Sequence, residues 1–103
     1  MAIKSPISKR LKEARLLAKI SQKQLGIAAG IDEFVASARM NQYETGKHTP
    51  EYSVLAAIAK VLGLPEAYFY TRDDVLAEII NAYAKLDLRN RRKASKFIHG
   101  LVE

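Results

Sequence analysis

The sequence is cut at short intervals by residues that end one helix and begin the next, and this punctuation constrains the fold more than any other feature. Ser5-Pro6 offers an N-cap hydroxyl followed by a first-turn proline. In "SQKQ", residues 21–24, the Ser21 hydroxyl can accept from the Gln24 backbone N–H while the Gln24 side chain reaches back, which makes a capping box. Gly30 and Gly63 are placed to stop helices, and Gly46 to close one in the left-handed conformation. Pro50 suits the first turn of a new helix, and "TRDD" at 71–74 and Asp87 supply two further caps. No segment between these marks alternates apolar and polar residues with β-branched enrichment, and no Asn-Gly or Asp-Gly hairpin turn occurs.

Helical periodicity fills the intervals. Ile7, Leu11, Ala14 and Ala18 share one face of a first helix running to about Lys19. Leu25, Ala28 and Ala29 face inward on a short second helix. The third ends at Glu44 or Thr45, with both Asp32 and Ser37 available to start it. A fourth, over residues 51–62, should bury Tyr52, Leu55, Ile58, Ala59 and Leu62, and "PEAYF" at 65–69 forms a short turn. Beyond residue 70, a sixth helix carries Val75, Leu76, Ile79, Ile80, Tyr83 and Leu86, and a seventh carries Ala94, Phe97, Ile98 and Leu101. The expectation is an all-α chain: a five-helix unit over residues 1–70 and a helical extension over 71–103. With 103 residues there is room for one compact core, and 49% hydrophobic content argues against disorder.

Composition narrows the chemistry. There is no cysteine, so disulfides, thiolate metal sites and thiol nucleophiles are excluded. The N-terminus lacks an apolar signal core and no run of about 18 apolar residues occurs, so a soluble cytoplasmic protein without a membrane partner is expected. Net charge is +6 and uneven: residues 1–50 carry nine Lys/Arg against four Asp/Glu, and residues 87–103 carry five against two. A basic front half suits a polyanionic partner. No Gly-rich phosphate loop, metal-spaced His/Asp/Glu set or nucleophile elbow is present, so neither an enzyme nor a bound cofactor is expected.

The short helix opening "SQKQL", the "AAG" that ends it, apolar Ile31, the corner "YETGK" and Pro50 before "LAAIAKVLGL" occur in a fixed order. Over roughly residues 8 to 70 this order resembles the helix-turn-helix of lambda-repressor-like and Cro-like regulators, the XRE family. The resemblance implies that the third helix enters the DNA major groove while the second braces it across the backbone. Ser37, Ala38, Arg39, Asn41 and Gln42 are then the candidates for reading bases. Their chemistry suits the role, since Arg pairs bidentately with guanine and Asn or Gln with adenine. Matched onto the family pattern, Gln22, Lys47 and His48 fall where phosphates pass, with backbone N–H groups at 47–49 as further donors. Arg15 and Glu44 match positions implying an ion pair between the first and third helices. One stretch departs from the family: "IDEFVASARMNQYETGK" is about four residues longer, approximately one helical turn. Counting back from Glu44 places Ser37-Ala38 at the helix start, whereas counting forward from Gly30 would place Glu33 and Phe34 there. The backward count is preferred, because the corner is the more specific anchor and two acids would repel phosphates.

The implied function is a sequence-specific double-stranded DNA-binding regulator of transcription, repressing as a homodimer on a palindromic operator. The alternative is an antitoxin-like module holding a protein partner on its helical surface. The apolar face of residues 71–103 is wider than a lone helix leaves exposed, so it either covers helices one and four of the same chain or forms a dimerisation segment, and the dimer is the favoured reading.

Overall fold

The computed structural model describes residues 4–103, and among them the chain forms seven helices and no strand. They are α1 (Ile7–Leu17), α2 (Gln22–Ala28), α3 (Ala36–Thr45), α4 (Tyr52–Leu62), α5 (Glu66–Phe69), α6 (Asp74–Ala84) and α7 (Leu88–Val102). Several caps act as local chemistry dictates. Ser21 accepts from the Gln24 N–H at 3.0 Å and Gln24 returns the bond to the Ser21 N–H at 3.1 Å. Asp73 accepts from the Leu76 N–H at 3.0 Å and Asp87 from the Asn90 N–H at 2.8 Å, and these bonds open α6 and α7.

The core lies inside the first five helices. Leu11, Leu25, Met40, Leu55, Ile58 and Phe69 are fully buried there, one or two from each helix. The edge of the Phe69 ring meets the Tyr68 ring at a centroid distance of 5.0 Å. From the extension only Ala77 joins this core, with Ile80 packed against it. Arg10 fastens α6 to α1. Although only 2% exposed, its guanidinium donates to the Thr71 and Arg72 carbonyls at 2.8 and 2.9 Å and to Asp74 Oδ1 at 2.8 Å. Lys9 adds a second cation on Asp74 at 3.1 Å, and the Arg10 bond, then the Lys9 bond, lowers the Asp74 carboxyl below its usual range. The Arg10 guanidinium also stands 5.7 Å from the centroid of the Tyr68 ring, whose hydroxyl burial and the Glu13 charge push up to about 12.

Several faces differ from the periodicity. α1 stops at Leu17, and Ala18 and Ala28 are exposed, because no later element covers the outer ends of α1 and α2. Tyr52 is exposed in the first turn of α4, where its hydroxyl reaches Glu66 across the surface. The apolar stripe of α6 turns mostly outward, with Val75, Leu76, Ile79 and Tyr83 all exposed, and α7 buries no residue at all. What holds the start of α7 is Arg91, which donates to the Tyr83 and Ala84 carbonyls at 3.3 and 2.8 Å and lies over the Tyr83 ring.

Candidate nucleic-acid interface

The α2–α3 pair is set by a close approach at Gly26. A Cβ there would sit 3.0 Å from both Ala36 Cβ and Met40 Cγ, so the backbone of α2 rests directly on the inner face of α3. Between the two helices Ile31 is buried, and residues 32–35 form a separate turn. The Asp32 carboxylate accepts from the Phe34 N–H at 2.8 Å, and the Asp32 carbonyl accepts from the Val35 N–H at 3.1 Å. Residues 32–35 therefore belong to the loop, and α3 begins at Ala36 with neither Asp32 nor Ser37 capping it.

This start fixes the faces of α3. Ala36, Met40 and Tyr43 point into the core, while Ser37, Ala38, Arg39 and Asn41 are exposed and Gln42 is half-buried. Asn41 is not free to swing. Its Oδ1 accepts from Gln22 Nε2 at 3.3 Å, and the same amide donates to Glu44 Oε1 at 3.2 Å. Gln22 thus ties the start of α2 to the outer face of α3, beside the residues that the resemblance makes base readers.

Glu44 is the sole acid on α3, and its side chain is only 3% exposed. Arg15 meets it in a bidentate pair, Nε to Oε2 at 2.6 Å and Nη2 to Oε1 at 3.1 Å. A third guanidinium donor reaches the Ile20 carbonyl at 3.1 Å, fixing the turn that leads into α2. The exposed face of α3 consequently carries Arg39 as its one charged group.

Gly46 closes α3 at φ +81°, a left-handed geometry that glycine adopts without a side-chain clash. The reversal exposes Lys47, His48 and Thr49 and buries Pro50. The His48 N–H is already committed to the Gln42 carbonyl at 3.2 Å, so it is unavailable as a phosphate donor, which corrects the expectation for that group. Lys4, three residues before α1, and Ser8, in its first turn, line a cleft of about 310 Å³ together with His48 and Thr49. These two were not legible in the sequence as part of the corner, because only the packing of α1 against α3 brings them there. Among the described residues no cluster of His, Asp and Glu could hold a metal ion.

The family model of the helix-turn-helix domain matches residues 7–68, that is α1 to the end of α5 except its last residue. The crystal structure of transcriptional regulator BswR superposes with a TM-score of 0.85 at 45% sequence identity, covering 91% of this chain and 93% of that one. Coverage on that scale includes most of the residues after α5, so the likeness reaches beyond the five-helix unit. No curated protein matches the sequence.

Proposed function

The chain belongs to the helix-turn-helix domain family, and on that premise we propose that it is a transcriptional regulator of the XRE type that binds duplex DNA. It reads its site with α3 and represses by occupying a palindromic operator as a homodimer. The observation that carries this reading is the outer face of α3, where Arg39 and Asn41 stand exposed while the helix's one acid is buried against Arg15. Arg39 is assigned to guanine and Asn41 and Gln42 to adenine, with Ser37 and Ala38 at the helix start making closer contacts to the base edges. Lys47 and His48 grip the sugar-phosphate, which sets orientation without reading sequence, and Gln22 joins them at the start of α2 once its amide gives up the bond to Asn41 or Glu44.

One recognition helix covers only a few base pairs. Two of them about 34 Å apart meet successive major-groove faces and read a palindrome. The dimer is assigned to residues 71–103, because α7 carries Phe97, Ile98, Leu101 and Val102 exposed along one side and a monomer gains nothing from leaving such a stripe in water. The bound state needs no catalytic step and no cofactor, and a soluble cytoplasmic regulator is the reading that accompanies it. No helix among the described residues is long and apolar enough to cross a membrane.

The test is selection of binding sites from random duplex DNA, followed by sedimentation with and without the selected site. Enrichment of a palindrome and a dimer at micromolar concentration are expected. A pure protein-interaction module would bind duplex DNA weakly and without sequence preference above the electrostatic background, whereas an antitoxin-like module that also binds DNA overlaps with the first reading. A chain that stays monomeric at tens of micromolar on and off DNA refutes the dimer.

A further inference from the structure

Phe34 is 89% exposed, the most exposed large apolar side chain of the described residues. It stands two residues before α3, in the turn over residues 32–35. The backbone here is tied down. The Asp32 carboxylate and carbonyl hold the Phe34 and Val35 N–H groups, and the Val35 carbonyl in turn accepts from the Arg39 N–H at 2.9 Å, so the turn is continuous with the first turn of α3. Val35 beside it is also exposed. An aromatic ring left in water gains nothing within the chain, and its placement at the entry of α3 suggests what covers it.

We propose that Phe34 reads a thymine, by packing against its 5-methyl group at the edge of the half-site. This inference rests on the DNA-binding reading of α3 and extends its reading face by one residue. In helix-turn-helix docking the N-terminal end of the recognition helix approaches the base edges. A phenyl ring brings no hydrogen-bonding group there, and the thymine methyl is the one apolar feature of the major-groove edge. The two acids before it give the turn its direction. Asp32 is spent holding the turn, while Glu33 is exposed and repels phosphates. That repulsion keeps the turn from settling on the backbone of arbitrary sequences and raises the ratio of specific to non-specific binding. Because the turn's backbone is preformed, docking orders only the side chain.

The experiment uses the full chain and the duplex selected by the wild type. Each thymine is replaced in turn by deoxyuridine, which lacks only the methyl group, and Kd is measured for the wild type and for Phe34→Ala. The wild type should lose roughly fourfold at one thymine of each half-site. Phe34→Ala should bind the thymine duplex about that much more weakly and no longer distinguish the two bases at that position. Circular dichroism should show an unchanged fold, since the ring fills no internal space. Glu33→Gln should tighten binding to random-sequence duplex at low salt. The inference is overturned if the wild type shows no thymine dependence, if Phe34→Ala keeps it, or if Phe34→Ala weakens both duplexes equally, as a ring with a non-DNA role would. An unchanged affinity of Glu33→Gln for random duplex also overturns it, by placing the turn away from the phosphates. Failure of the wild type to select any site sinks the DNA-binding reading itself. A selected site with no Phe34 effect sinks this inference alone.

Discussion

Replacing Arg15 by methionine should be among the most destabilising single changes in the domain, and the structure sets its size. Arg15 is 13% and Glu44 3% exposed, so the bidentate pair is largely out of water. Without the guanidinium, the Glu44 carboxylate keeps one partner, the Gln22 amide at 3.2 Å. Stranding one member of a buried pair costs about 3–5 kcal/mol. The Ile20 carbonyl loses its donor as well, so the lower half of that range is a floor. For a domain of this size each kcal/mol moves Tm by about 4–8 °C, which makes the expected fall about 12 °C or more. Glu44→Gln should cost less, about 1–3 kcal/mol, because the amide keeps the shape and Arg15 retains the Ile20 carbonyl and some water. The assay is urea denaturation followed by circular dichroism for both single variants and the double variant. A loss under about 1 kcal/mol for Arg15→Met, or a coupling energy near zero in the cycle, contradicts the argument. Either result means that the pair is worth no more than two independent surface charges.

On the preferred duplex, Arg39→Ala and Gln42→Ala should each cost about 1–3 kcal/mol while leaving Tm nearly unchanged, read by fluorescence anisotropy and thermal melts; wild-type affinity in both variants removes α3's outer face from the reading role. Lys47→Ala should weaken all sequences alike and lower the slope of log K against log salt by about one unit, and an altered base preference at constant slope contradicts the clamp. Arg10→Met should destabilise by about 1–3 kcal/mol through the Thr71 and Arg72 carbonyls it leaves unpaired, measured by denaturation. The Asp74 carboxyl is held below its ordinary range by Arg10 and then Lys9. Its stabilising effect is therefore present above a pH of about 4 and lost as pH falls through the lowered folded value. The stability curves of the wild type and Asp74→Asn should run a constant distance apart above that pH and close as pH falls through the lowered folded value; a constant separation over the whole acid limb refutes the assignment.

Elements whose signals are local were legible, because a cap or a left-handed glycine acts within a few residues of itself. The Ser21–Gln24 box, Asp87 before α7 and Gly46 after α3 are of this kind. The candidate site was legible to the extent that the corner fixes the register of α3: Met40 and Tyr43 face inward, which leaves Arg39 and Asn41 outside. The start of α3 was not, because two caps were plausible and neither is used. The Asp32 side chain instead folds onto Phe34, and α3 begins without a side-chain cap. The role of Arg10 was hidden for a different reason. It shares the inner face of α1 with Ile7, Leu11 and Ala14, but its acceptors lie in the α5–α6 connection, far along the chain.

Periodicity tells which residues share a face of a helix and says nothing about what covers that face. Tyr52 falls three residues before Leu55 and so belongs to the apolar side of α4 by spacing, yet the first turn of α4 extends past the core and the ring ends in solvent beside Glu66. The same limit applies on a larger scale to α6 and α7. Ile79 and Ile80 are adjacent and chemically equal, but only Ile80 packs on the core while Ile79 is left outside. Arg91 ties α7 to the carbonyls at the end of α6, while no residue of α7 is buried and its large apolar side chains stay uncovered by the chain. Those residues are therefore free to serve a surface outside the chain. This is the physical reason that the extension, and not the five-helix unit, is where assembly is expected.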